Sequence, residues 1–565
     1  MSSTRIARQF ATIRDGRWGA RQVHYRRMGR GPVLILLHQS PLSSRDMIAT
    51  MQRWQRQFTC IAPDTPGYGL SDPLGVPQAE MEDFAEAVIE FLDAIGVAKA
   101  AFYGFHTGAM LAAAVAARYP QRVHAVVSNG YVIPTAEERA ELVASYLPPF
   151  EPRWDGAHLA WLWSRMREQV IFFPWYRKGA ADRMYLNLPP PEALQGGLVE
   201  FLRADDHYRV AYRAAFTMPA NEALQRIRVP ALVTASRTDP TSRYLARVAD
   251  PALTVTVREC ATPAETLDLA LAHLRRAPSS AAPKPATAQP VPGRLWRQMI
   301  DVPGGQLRAL RNDEGSGRVV VVVHDAVGSS DSVAALAASF IGKRPVIAID
   351  LPGHGESEDT LPRGAVTVAA YAKALRKALD VLGVRECDLV GVQGGGLIGL
   401  ELAHLAPKCV RRLVLAGPMY FDKAMQAELR QHYAPDIRID GYGGHLLQAW
   451  QFIRDQGNYW PWYRQTSEAI LRATDSLDPR LVHQRVLEIF RAPLGWRRAY
   501  RALFAYPVKT RLRTVKVPTL LAAAEADPLR RCALEAAKAL PHMPFRPLAA
   551  DPREWGRELL PFLDA

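Results

Sequence analysis

The strongest constraint on this chain is that it repeats itself. His38 in LLHQS returns as His324 in VVHDA, and Asp64 in DTPGYGLS returns as Asp350 in DLPGHGES. Gly104 in GFHTG returns as Gly391 in GVQGG, the segment PWYR occurs at Pro174 and again at Pro461, and Asp239-Pro240 is matched by Asp527-Pro528. The order never changes and the separation stays between 286 and 288 residues, so the 565-residue chain is a tandem duplication of one domain. Its length also exceeds what one hydrophobic core spans. Between the copies, Ala277 to Arg294 reads APSSAAPKPATAQPVPGR. This stretch has too few aliphatics to offset its ordering entropy, and its prolines keep it extended. The expected division is copy one at 1–276, a linker at 277–294 and copy two at 295–565.

Each copy alternates short aliphatic runs with helical patterns. Val33 to Leu37 and Cys60 to Pro63 read as strands, and Ala79 to Leu92 as an amphipathic helix with Met81, Phe84, Val88 and Phe91 on one face. Ala100 to Tyr103 then reads as a strand and Ala109 to Arg118 as a helix of small residues. Copy two repeats the pattern through Val319 to Val323, Pro345 to Ile349, Ala370 to Leu382, Asp388 to Val390 and Leu397 to Leu405. Such alternation predicts an α/β fold, a parallel sheet with helices on both faces.

Composition narrows the function classes. With 48% hydrophobic residues the chain is neither disordered nor fibrous. It is basic, 70 Lys+Arg against 56 Asp+Glu, which biases it toward anionic ligands. It has no basic tract or nucleic-acid motif, and no nucleic-acid partner is expected. The five cysteines are scattered without a C-x-x-C, so neither a disulfide framework nor a metal site is expected, and a reducing, cytoplasmic setting fits. No apolar run approaches the ~20 residues of a membrane span. The opening MSSTRIARQF lacks the apolar core of a signal peptide.

The motifs H-x-x-P, D-x-P-G-x-G-x-S and strand–G-x-x-x-G–helix, in that order and in both copies, resemble the α/β-hydrolase fold. The resemblance implies two mostly parallel eight-stranded sheets, each with a helical cap after its sixth strand, at about 132–226 and 418–513. It also implies a nucleophile at the middle of a strained G-x-S-x-G turn, an acid after a later strand and a histidine near the end of the domain. In copy one the turn holds His106, and in copy two Gln393. The acid position carries Asp239 and Asp527. The terminal histidine is missing from both copies; its place falls near Ala261 or Thr262 and near Ala549 or Ala550. Both triads therefore read as degenerate, and serine-hydrolase chemistry is not expected.

His106 is the reactive group left, as a base or nucleophile or as a filler of the pocket floor. Direct pairing with Asp239 is expected to need a side-chain shift or a water. Backbone N–H groups of Gln39 and Thr107 are the expected oxyanion donors. In copy two the first of these positions is Asp325, whose charge opposes such a role or points away. The caps share Trp163 with Arg167, matched by Trp450 with Arg454, spaced four apart on one helix face. These residues, with His38, Trp175, Trp462 and Gln393, are the candidates to line a ligand pocket. Gly394, Gly396 and Gly399 form a G-x-G-x-x-G, but it follows a mid-domain strand, and no cofactor is expected.

Three functions stay open. One is a small-molecule-binding or scaffolding pseudo-enzyme whose covalently joined copies resemble a homodimer. The second is an unconventional enzyme in copy one, with His106 as base or nucleophile and Asp239 or Arg167 assisting, acting on a small apolar or carboxylated substrate. The third is a hydrolase whose base comes from the cap, such as His158. The substrate and any further oligomerisation are left open.

Overall fold

Eight strands of copy one form one sheet. They are β1 (Ala7–Ile13), β2 (Arg21–Gly29), β3 (Val33–Leu37), β4 (Thr59–Pro63), β5 (Ala100–Phe105), β6 (Val123–Asn129), β7 (Ala231–Ser236) and β8 (Val255–Cys260), in the order β1-β2-β4-β3-β5-β6-β7-β8. β2 runs antiparallel to both β1 and β4, and every other pairing is parallel. Copy two repeats this with β9 (Trp296–Val302), β10 (Gly305–Asn312), β11 (Val319–Val323), β12 (Val346–Ile349), β13 (Cys387–Val392), β14 (Val410–Ala416), β15 (Thr519–Ala524) and β16 (Phe545–Leu548), ordered β9-β10-β12-β11-β13-β14-β15-β16. These are features of a computed structural model that describes residues 5–184, 186–276, 281–364, 366–471 and 477–565. The first four residues of the expected linker, 277–280, lie outside the described residues.

The parallel strands are covered on both faces, which is why β3 reads VLILL with all five residues buried. The helix Met81–Ala94 buries Met81, Phe84, Val88 and Phe91, and each such side chain contributes about 1.5–3 kcal/mol. Glu80 and Asp83 close a capping box at its start. The helix Thr107–Arg118 is made of small residues and is buried from Thr107 to Ala116. It begins two residues before the expected Ala109, because the turn that precedes it is so tight.

The caps lie between β6 and β7 and between β14 and β15. The first contains the helices Ala157–Ile171, Pro191–Ala204 and Tyr208–Thr217; the second contains Gly444–Asn458, Pro479–Arg491 and Gly495–Phe504. The chain divides into two compact units, Met1–Glu151 with His158–Gln289, and Pro152–Ala157 with Pro290–Ala565. Part of the Pro/Ala/Ser-rich segment is fastened to the first unit: Arg27 donates to the carbonyl of Pro283 at 2.7 Å, and Thr12 Oγ1 donates to that of Gln289 at 2.8 Å.

Candidate active site

The site of copy one begins at the end of β5. His106 sits between β5 and the helix Thr107–Arg118 with φ 50° and ψ −112°. A non-glycine residue pays of order 1–3 kcal/mol for such a conformation, so the surroundings must impose it. They do so through backbone contact. A Cβ on Gly104 would lie 2.0 Å from the carbonyl oxygen of Gly108, and one on Gly108 would lie 2.1 Å from that of Leu37. Only glycines at both places let strand and helix approach closely enough to push residue 106 out over the sheet edge.

There His106 Nε2 stands 2.8 Å from Asp239 Oδ2. The expectation that a shift or a water must bridge this pair is corrected. The imidazole is long enough to fill the gap itself, and Gly130 clears the way: a Cβ there would meet His106 Cδ2 at 2.2 Å. Asp239 Oδ1 accepts from the N–H of Thr241 at 2.9 Å and from its hydroxyl at 2.6 Å. Burial penalises the Asp239 carboxylate, but His106 and Thr241 more than reverse this and hold it at about 2. An ionised carboxylate accepts a hydrogen bond, so Nε2 carries the hydrogen that points at it. Among the described residues Nδ1 has no hydrogen-bond partner. The ring also stacks on Phe105, with centroids 4.0 Å apart.

His106 and Asp239 line a cavity of about 410 Å³. Beside that pair its wall is largely aromatic, with Phe105, Tyr146, Phe173 and Tyr212, and with Gln39, Ser40 and Gln169 as uncharged polar groups. Among the described residues neither Lys nor Arg lines it. Tyr212 is fixed by donating to the carbonyl of Ser40 at 2.7 Å. The N–H groups of Gln39 and Thr107 have no backbone acceptor among the described residues. The Gln39 side chain turns away to Asp46 Oδ1 at 3.5 Å. Asp46 is itself a carboxyl raised by burial, which its hydrogen bond with Gln39 only partly offsets. It carried no motif that would single it out in the sequence, and neither did Tyr146, Phe173 or Tyr212 as pocket residues.

Several expected pocket residues serve the fold instead. His38 is 1% exposed; its Nε2 accepts from the N–H of Thr65 at 2.9 Å, and its Nδ1 bonds the carbonyl of Gln39. It ties β3 to β4. His324 does the same in copy two with Leu351 and Asp325. Trp163 and Trp450 are buried, and Trp450 Nε1 donates to the carbonyl of Trp154 at 3.2 Å. Trp175 and Trp462 donate to the carbonyls of Tyr146 and Tyr433 and brace the cap. Arg167 and Arg454 are partly exposed, and neither Arg167, Trp163, Trp175 nor His158 lines the cavity. The arginine that this cap buries is Arg165, 1% exposed, with its guanidinium within 6 Å of the rings of Tyr146, Trp175, Phe201 and Tyr208.

Copy two builds the same turn with different chemistry. Gln393 has φ 48° and ψ −113°, a near copy of His106. Its side chain lies close enough to Asp527 to favour the charged form, but burial outweighs this and the carboxyl is raised rather than depressed. The matched acid is thus ionised beside an imidazole and pushed toward neutrality beside an amide. Asp325 does not point away. Its Oδ1 accepts from the N–H of Gly394 at 3.0 Å, and its Oδ2 from the hydroxyl of Tyr500 at 3.0 Å. Gly394 is the counterpart of Thr107, so the chain's own carboxylate fills the place an oxyanion would take.

Among the described residues no group of three or more His, Cys, Asp or Glu is placed to hold a metal ion. No described helix is long and apolar enough to cross a membrane.

The duplication seen in the two sheets also appears when the sequence is compared with known families. The chain belongs to the α/β-hydrolase fold family, whose family model matches residues 32–249 and again 318–531. Among curated relatives it is similar to the uncharacterized protein Rv2715 of Mycobacterium tuberculosis, 36% identical over 113 residues, covering 20% of this chain and 32% of that one. It is also similar to the dihydrolipoyllysine-residue acetyltransferase component of the acetoin cleaving system of Pseudomonas putida, 31% identical over 151 residues, covering 27% and 40%. The chain thus spans about a third of the length of the first curated relatives it matches. Among solved structures, the epoxide hydrolase VrEH1 of Vigna radiata aligns with a TM-score of 0.38 at 16% identity, covering 48% of this chain and 98% of that one.

Proposed function

We propose that copy one is a general acid–base site for a small, uncharged, mostly apolar molecule, and that copy two is its non-catalytic companion. Both triads are degenerate in this reading: His106 and Gln393 stand where a serine nucleophile belongs. The observation that carries it is the 2.8 Å pairing of His106 with Asp239 on the floor of an aromatic cavity. Asp239 orients the ring and stabilises the imidazolium that forms when Nδ1 takes a proton. The proton comes from an acidic C–H of the substrate or from a water that attacks it. The backbone N–H groups of Gln39 and Thr107 receive the negative charge that develops.

A cavity that no described Lys or Arg lines favours a neutral ligand over the carboxylated one that Arg167 would have served. A base drawn from the cap loses support because His158 is buried against Phe150, away from the cavity. Copy two has an amide in place of the base and a carboxylate in place of the oxyanion, which supports a structural role.

The test is a panel of neutral aromatic esters, lactones and activated ketones run on the full chain. Turnover or proton exchange on at least one member, lost in His106→Ala and in Asp239→Asn, is the expected result. A fluorophosphonate probe should leave the protein unlabelled. A turnover rate indifferent to His106→Ala overturns the proposal.

A further inference from the structure

Cys387 and Cys409 are 22 positions apart in sequence, yet the fold brings them side by side. Cys387 opens β13, and its N–H donates to the carbonyl of Cys409 at 2.8 Å, just before β14 begins at Val410. That backbone bond makes the two residues neighbours across the strand pair, close enough for each thiol to bias the ionisation of the other. The guanidinium of Arg376, on the helix Val368–Val381, rests on the sulfur of Cys409. All five cysteines are free thiols. The pair lies at the N-terminal end of the parallel strands, the end opposite the elbow.

Neither cysteine exists in copy one. The corresponding positions there are Ala100 and Arg122, and Arg122 pairs with Asp93 and with the carbonyls of Ala98 and Val97. Copy two therefore carries both thiols together where copy one carries neither. A single buried cysteine is common core filling. Two held side by side by a backbone hydrogen bond, with a cation on one of them, form an arrangement that has chemistry.

We propose that Cys387 and Cys409 are a redox-modification site, a dithiol that a hydroperoxide converts to an intramolecular disulfide. Cys409 is the attacking thiol. The neighbouring Cys387 and the Arg376 guanidinium favour its thiolate, and Cys409, with burial, holds Cys387 protonated. Cys409 is 4% exposed, and Arg376, which rests on its sulfur, is itself 26% exposed. The Cys409 thiolate attacks the peroxide oxygen, the O–O bond breaks, and hydroxide or an alkoxide leaves, giving a sulfenic acid. The Cys387 sulfur then displaces hydroxide from it as its own proton is lost. Two thiols and one hydrogen peroxide yield one disulfide and two waters. The bond would staple β13 to the loop that follows the helix Gly394–Leu405.

Treatment of the full chain with a small excess of hydrogen peroxide, followed by digestion without reductant, tests this. The expected result is a Cys387–Cys409 crosslinked peptide and a fall from five to three titratable thiols in denaturant. Cys387→Ser should instead trap a dimedone adduct on Cys409, and Arg376→Gln should slow crosslinking by about tenfold. Five thiols remaining, modification confined to the half-exposed Cys532, or sulfinic acid on Cys409 without a crosslink would each overturn the proposal. The crosslink is read in the unmutated protein, so it does not depend on a variant folding.

Discussion

His106 Nε2 and Asp239 Oδ2 are 2.8 Å apart, and no third residue stands between the elbow and the acid. One imidazole thus spans a distance that the usual triad divides between a nucleophile and a histidine. His106→Gln separates a base from a filler, because it reproduces the Gln393–Asp527 pair already tolerated in copy two. The amide keeps a hydrogen bond to Asp239 but has no basic nitrogen. Turnover should fall by about 10²-fold or more, while ligand binding and melting temperature hold. A variant that keeps its rate would reduce His106 to packing.

The acid end of the stability profile reports on the same pair. Burial raises the Asp239 carboxyl, but His106 and Thr241 reverse it and leave it at about 2, below the ordinary 3.8. A depressed carboxyl stabilises the fold above its unfolded value and loses that contribution as pH falls through its folded value. The difference in stability between the natural chain and Asp239→Asn should therefore shrink by about 2 kcal/mol as pH drops from about 4 to about 2. Denaturant melts across that window check the sign. A difference that grows on acidification contradicts the pairing.

Gly130 offers a second handle that leaves the reacting groups in place. It has φ +78°, and a Cβ there would lie 2.2 Å from His106 Cδ2. Gly130→Ala should push the ring off Asp239 and abolish turnover, at a cost in stability of about 1 kcal/mol. Its counterpart Gly417 has φ +66°, and there a Cβ would meet Asp527 Oδ2 at 2.5 Å. Gly417→Ala should cost a similar amount of stability and leave turnover untouched. Equal loss of activity in both variants would show that copy two takes part in the chemistry.

The fold was legible because its signals are local and doubled. Continuous apolar runs mark β3 and β11, and intact glycine frames mark both elbows even where the tip residue has changed. The site was legible only in part. Helical spacing put Trp163 and Arg167 on one face, but it could not say which face the cap turns inward, and Arg165 is the arginine that this helix buries. The cavity wall is assembled from Phe105, Tyr146, Phe173 and Tyr212 on four separate segments, and no periodicity links them. The reach of an imidazole at positive φ, and the contact of Cys387 with Cys409, depend in the same way on strand neighbours that sequence spacing does not encode.

The last prediction concerns why copy two is silent. Asp325 is buried between the N–H of Gly394 and the hydroxyl of Tyr500. Burial raises its carboxyl, and those two donors only partly offset this. A carboxyl raised on folding favours the fold least where it must ionise, so its penalty grows as pH climbs from the unfolded value through the folded one. Asp325→Asn keeps an oxygen for Gly394 and turns an NH₂ toward Tyr500, whose oxygen can accept. It removes the charge without opening a cavity. The variant should therefore melt at the same temperature or higher, with its advantage larger at about pH 7 than at about pH 3, below the unfolded carboxyl value. An advantage that shrinks with rising pH would mean that the carboxylate is welcome there as an anion. In that case the elbow of copy two would be a working oxyanion site that is merely occupied, and Asp325→Gly would be the variant in which to look for activity.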